Sequence, residues 1–163
     1  MLFRAKKRLR FEGAVVSNLI SKDKFSAIDE LVSKATIFQN IKNKEDFLKA
    51  VYQRENEKTT GFGHGVAVAH GKISTMKDIK IALGISRGGI QYNATDGKPV
   101  YLLFLVASDP AKSQKYLETL SFLMRIVRNE DFRKQLLNCT TPQEAEALLD
   151  QEFYSFGKTR VAK

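Results

Sequence analysis

The run Val100–Ala107 (VYLLFLVA) constrains the fold more than any other stretch of the 163-residue chain. It lies between the turn signal Thr95-Asp96-Gly97-Lys98-Pro99 and Ser108, and it contains no polar residue except the hydroxyl of Tyr101. A strand with one face in water alternates apolar and polar side chains, whereas a continuous β-branched and aliphatic run belongs to a strand covered on both faces. Layers must therefore pack on either side of it, and the flanking sequence supplies them as helices.

Between Lys24 and Ala35 the residues Phe25, Ile28, Leu31, Val32 and Ala35 recur at steps of three and four, which predicts one apolar helical face, with Asp23 or Ser21 capping its start. A second helix is predicted from about Lys44 to Glu57, with Phe47, Leu48 and Val51 inward and Arg54 one turn further along the same side. Lys112–Arg128 carries a wide stripe of Tyr116, Leu117, Leu120, Leu123, Met124 and Val127, and Phe132, Leu136 and Leu137 indicate a short helix after it. The last helix is announced by Thr141-Pro142-Gln143-Glu144, an N-cap threonine, a proline at the first helical position and a glutamate at the third. Strands are expected at Val66–Ala69 and Ile79–Ile85, with an edge strand inside Phe11–Ile20 and a turn at Arg87-Gly88-Gly89. Helices thus precede, separate and follow the strands, which reads as one α/β domain without internal repeats.

The formal charge of +9 would suggest nucleic acid or a membrane if it were spread over a folded face. It is not: residues 1–10 hold five bases and no acid, and residues 158–163 hold three more bases. That leaves 19 bases facing 18 acids in residues 11–157. The expected organisation is a basic N-terminal arm (1–10), a nearly neutral domain (11–157) and a basic C-terminal tail (158–163), the ends being solvated. No nucleic-acid site is expected in the domain, and contact with a membrane is peripheral at most, since no apolar run approaches the roughly 20 residues that span a bilayer. A lone cysteine, Cys139, excludes an intramolecular disulfide and makes a reducing cytoplasm the simplest setting.

Both histidines of the chain fall in Thr59–Lys72 (TTGFGHGVAVAHGK). A dinucleotide fingerprint would need a third glycine where Val66 stands, and a phosphate-binding P-loop would need glycine at Val66 and serine or threonine at Ile73. No nucleotide or other cofactor is implied. If Gly65–His70 is extended, six residues separate His64 from His70, roughly 20 Å along a strand, too far to share one metal ion. A nucleophilic histidine fits better, because neutral imidazole offers a lone pair to a phosphoryl group at cellular pH. His70, placed where the strand ends and before Gly71, has candidate donors in Arg54, Thr59 and Thr60. An ordinary histidine in a strand-end turn remains the competing reading at this point.

Arg54-Glu55, followed by Thr59-Thr60-Gly61-Phe62-Gly63-His64-Gly65-Val66-Ala67-Val68-Ala69-His70-Gly71, resembles the signature of type 2 EIIA proteins of the phosphoenolpyruvate-dependent phosphotransferase system. These are the fructose, mannitol and nitrogen-regulatory forms. Ile90–Leu105, an aspartate–glycine turn leading into the buried strand, resembles the family's second block. The resemblance implies an α/β fold with a mixed sheet between helices, and a histidine phosphocarrier. His70 matches the phosphoryl acceptor, Arg54 the arginine that stabilises the phosphoryl group, and Thr60 the hydroxyl donor beside it. The implied partners are the carrier HPr or its nitrogen-branch relative, and an EIIB of a sugar permease or a regulatory target. With no EIIB or membrane EIIC segment in the sequence, a stand-alone, nitrogen-type regulatory form is expected. Three positions depart from the family pattern. Ala69 replaces the proline before the active histidine, Tyr116 stands where a second histidine is usual, with Glu118 as the nearby alternative, and His64 replaces an asparagine. Thr59, His64, Tyr116 and Glu118 are therefore supporting candidates, with His64 either a loop residue or a spatial substitute for the missing histidine. The alternative function is a degenerate EIIA-like module that regulates by binding, with little or no phosphotransfer.

Overall fold

A computed structural model describes residues 9–156 apart from Thr75 and the side chain of Ser155. Residues 1–8 of the basic arm and the whole of the tail 158–163 lie outside the described residues. Five strands, β1 (Val15–Val16), β2 (Gly61–Gly63), β3 (Val66–Lys72), β4 (Lys80–Ile90) and β5 (Val100–Ser108), form one sheet in the order β1-β4-β5-β3-β2. β1 runs parallel to β4 and β3 parallel to β5, while β4–β5 and β2–β3 are antiparallel. The sheet is mixed, and β5, the long apolar run, is its central strand.

Alternation along the strands divides the core in two. On one face Val66, Val68, Leu83, Leu102, Phe104 and Val106 pack with residues of α3 (Ser113–Val127), α4 (Glu130–Leu137) and α5 (Pro142–Phe156). On the other, Ala67, Ala69, Leu103, Leu105 and Ala107 pack with α1 (Lys24–Lys34) and α2 (Lys44–Glu57). The residues that β3 turns toward α2 are small, and the helix comes close. A Cβ on Gly71 would lie 2.7 Å from Cγ2 of Val51 and 3.2 Å from its backbone nitrogen. No helix among the described residues is long and apolar enough to cross a membrane.

Local signals in the sequence hold in detail. Asp23 caps α1 by accepting from the Ser26 amide at 3.1 Å. At the start of α5, Thr141 Oγ1 accepts from the Glu144 amide at 3.3 Å, while the Glu144 carboxylate reaches back to Thr140 rather than Thr141. Three expectations need correction. Arg87-Gly88-Gly89 is not a turn but part of β4, which absorbs the irregularity as a bulge: the register shifts between Ile85 and Ile90, and Gly89 takes φ +85°. Gly61-Phe62-Gly63, which falls outside the expected strands, forms the short edge strand β2. β3 does not stop at Ala69. It continues through His70 to Lys72 because all seven of its residues pair with β5.

Candidate functional site

The parallel pairing of β3 with β5 places His70 opposite Val106 and sends its side chain to the face covered by α3. His70 therefore projects from a hydrogen-bonded strand, not from a strand-end turn, and the Ala69 that precedes it is buried and paired with Leu105. The ring is half-buried and meets Tyr116 of α3 with centroids 5.8 Å apart at 53°. Its Nδ1 faces the carbonyl oxygen of Val68, the next residue on the same side of the strand, at 3.3 Å. With the proton on Nδ1 donated there, Nε2 holds the free lone pair.

Burial holds the His70 pKa below the ordinary histidine value by disfavouring the cation; the Val68 carbonyl and the Glu55 carboxylate oppose this, and the positive charges of Arg54 and Lys72 reinforce it. The imidazole is thus kept neutral and nucleophilic. Arg54 belongs to α2, on the opposite side of the sheet, and its position near the helix end carries its charge toward the ring. Its Nη1 donates to the Lys58 carbonyl at the C-cap of α2 at 2.8 Å, which fixes the guanidinium at that end.

Glu55, beside Arg54, was not among the sequence candidates, yet it organises the loop before β2. It is 4% exposed. Its carboxylate accepts from the Thr60 amide at 2.8 Å and the Thr60 hydroxyl at 2.6 Å, and pairs with Lys24 Nζ at 3.2 Å. Thr60 Oγ1 also lies 2.9 Å from the Tyr92 hydroxyl, and the Lys24 ammonium stands 4.7 Å from the centre of the Tyr92 ring. Thr60 is itself buried, so its hydroxyl proton is committed to Glu55 and is not offered to a group on His70. The arrangement makes Thr60 a positioning residue for the loop. The signal for Glu55 was its spacing: Phe47, Val51 and Glu55 follow one another at steps of four on the buried stripe of α2.

The remaining candidates separate. Thr59 Oγ1 accepts from the Gly61 amide at 3.2 Å, a local turn contact. His64 adopts φ +58° in the exposed turn between β2 and β3, in a cleft with Phe62, Asp96, Lys98 and Tyr101. That is the opposite end of β3 from His70, so His64 is a loop residue and does not stand in for a second histidine. Tyr116 does sit against His70, and burial raises its pKa, so it is a neutral phenol there. Glu118, two residues on and about 200° around the helix, lines a different cleft with Arg125, Arg128 and Phe156. Lys72 is a further residue missed in the sequence: it follows His70 by two on the strand, and its ammonium lies 5.1 Å from the centre of the Tyr116 ring.

Comparison with known proteins bears on the family and the fold. The family model "Phosphoenolpyruvate-dependent sugar phosphotransferase system, EIIA 2" matches residues 9–152. The chain is 32% identical over 133 residues to the fructose-specific EIIABC component of Bacillus subtilis, an alignment covering 82% of this chain but only 20% of that protein. It is also 32% identical over 126 residues to the fructose-specific EIIA component of Haloferax volcanii, covering 77% of this chain and 82% of that one. Among solved structures, the nitrogen regulatory protein IIA-Ntr of Neisseria meningitidis superposes with a TM-score of 0.75 at 25% identity, covering 84% of this chain and 93% of that one. With the family match spanning nearly the whole described domain, and with the sheet order and helix layers in place, the chain belongs to the type 2 EIIA family of the phosphotransferase system.

Proposed function

We propose that the protein is a phosphohistidine carrier that accepts a phosphoryl group on Nε2 of His70 from an HPr-like protein and passes it to an EIIB or a regulatory target. The observation that carries this reading is the state of His70: half-buried, neutral, and tied at Nδ1 so that Nε2 is the available nucleophile. In the transfer the Nε2 lone pair forms the N–P bond while the bond from phosphorus to the donor atom breaks, its electron pair staying with the donor. The ring then carries a positive charge shared with Nδ1–H, which the Val68 carbonyl accepts, and the phosphoryl oxygens face the field of Arg54. Such chemistry is positioning and charge stabilisation, and it asks for no metal or cofactor from these residues. The carrier works in the cytoplasm.

Within the family, the likeness to the Neisseria IIA-Ntr structure supports a nitrogen-type regulatory member. Transfer of label onward to a fructose-specific EIIB would assign it instead to sugar transport, as the names of the two sequence relatives suggest. A second reading, a regulatory module that binds without phosphotransfer, is favoured by one observation: Tyr116, packed on His70, occupies the position where the family resemblance expects a second histidine. Incubation with phosphoenolpyruvate, enzyme I and HPr separates the two. The carrier acquires acid-labile, base-stable phosphate that His70→Ala abolishes; wild-type protein that takes up no label leaves the binding module.

A further inference from the structure

We infer that Lys72 is a second catalytic cation of the site, binding the phosphoryl oxygens on His70 together with Arg54. The inference rests on His70 being the phosphoryl acceptor and adds a residue to that reaction.

Strand geometry places Lys72 correctly. It lies two residues beyond His70 on β3, so the two side chains leave the same face of the sheet, with Cβ atoms roughly 7 Å apart along the strand. The flexible four-carbon stem of lysine reaches across that spacing. Tyr116 is the platform between them. Its ring meets the imidazole at 5.8 Å and carries the Lys72 ammonium at 5.1 Å, so one aromatic side chain orients both the nucleophile and the cation. Lys72 is exposed, and none of the ion pairs among the described residues includes it. Its ammonium can therefore swing from the ring to an incoming anion without breaking a salt bridge. The other nearby charges leave this role open to it. Glu55 is occupied by Lys24 and Thr60, Glu118 faces another cleft, and Arg54 approaches from the α2 side.

The chemistry explains why a second cation matters. A phosphoryl group brings charge spread over three oxygens, and one guanidinium fixed at a helix end covers only part of it. A second cation neutralises more of it and narrows the geometry in which the group can sit. In the resting protein burial keeps His70 neutral and the same two cations reinforce it, so the charge that receives the phosphoryl group also helps maintain its acceptor.

Single-turnover phosphorylation by phospho-HPr tests this in the full chain. Lys72→Met should lower the maximal rate at saturating donor by about tenfold or more, whereas Lys72→Arg retains most of it. The titration midpoint of His70, followed by NMR, should rise in Lys72→Met, and circular dichroism should show the variant folded. A wild-type maximal rate in Lys72→Met, or a loss confined to the half-saturating concentration of HPr, overturns the inference and leaves Lys72 as a docking charge or a bystander. Wild-type protein that accepts no phosphate at all overturns the carrier reading itself, and Lys72 falls with it.

Discussion

At the scale of single residues, the site is a matter of which groups hold protons and where those protons point. His70 keeps its lone pair on Nε2 because Val68 takes the Nδ1 proton and burial resists a second one. A free histidine titrates near pH 6.5. The His70 midpoint should lie below that value in NMR titrations, so the acceptor capacity proposed for it should persist into mildly acidic solution and be lost only as pH falls through the depressed midpoint. The same shift links to stability with a definite sign. The unfolded chain binds the proton more readily, so this contribution to folding is full above pH 6.5 and is lost as pH drops through the folded-state midpoint. Arg54→Ala should move the midpoint upward. Among the polar residues around the site, Glu55 is the one whose removal should cost most. Alanine there leaves Lys24 and the Thr60 amide without their acceptor, and chemical denaturation should show a loss of about 3 kcal/mol. Its sequence neighbours gave no hint of this, because a carboxylate on a helix is usually solvated; only the step of four from Val51 pointed inward.

At the scale of elements, β3 and α2 are fitted to each other, and the fit brings the Arg54-bearing end of the helix beside the strand that carries His70. Gly71, directly after His70, leaves room beside the strand for a neighbour. In the fold that room is occupied by Val51 and Phe47 of the protein's own helix. Gly71→Ala must push α2 outward or shift β3, and the expected outcome is destabilisation of about 2 kcal/mol. A drop in phosphorylation rate should accompany it, because Arg54 travels with α2. The rate comparison should be made well below the melting temperature of the variant. Elsewhere, helix limits were legible because capping and apolar period act over a few residues. Asp23 and the Lys44–Glu57 span illustrate this. The course of β4 through Arg87-Gly88-Gly89 was not, since a bulge and a turn use the same glycines and only the pairing partner distinguishes them.

At the scale of the whole molecule, β5 ties the two cores together. Phe104 faces the layer of α3, α4 and α5, and Leu105 the layer of α1 and α2; both are fully buried. Truncation to alanine should cost about 4 kcal/mol at Phe104 and about 3 kcal/mol at Leu105. In each case probes placed on either helix layer should report a single coincident transition, because neither layer has a core without the sheet. Two separated transitions would mean that the layers unfold independently. The functional consequence of this architecture is that residues from both faces meet at one end of the sheet. Arg54 comes from α2 on one side, and Tyr116 from α3 on the other, with His70 on the strand between them.

The sequence by itself determined the layered α/β fold, through the unbroken apolar run of β5 and the helical periods around it. It also singled out His70 with Arg54, through the spacing of a motif. These are properties of local order along the chain, and they need no knowledge of distant contacts. Tertiary structure alone decided the rest. It commits the hydroxyl of Thr60 to Glu55, sends His64 to the far end of β3, and turns Glu118 away while Tyr116 packs on the imidazole. It also brings Lys72 over the same tyrosine ring. Each of these depends on which elements become neighbours and on which atoms are shut off from water. Hydrogen-bond partners and solvent exposure are set by the folded surroundings, not by position in the chain.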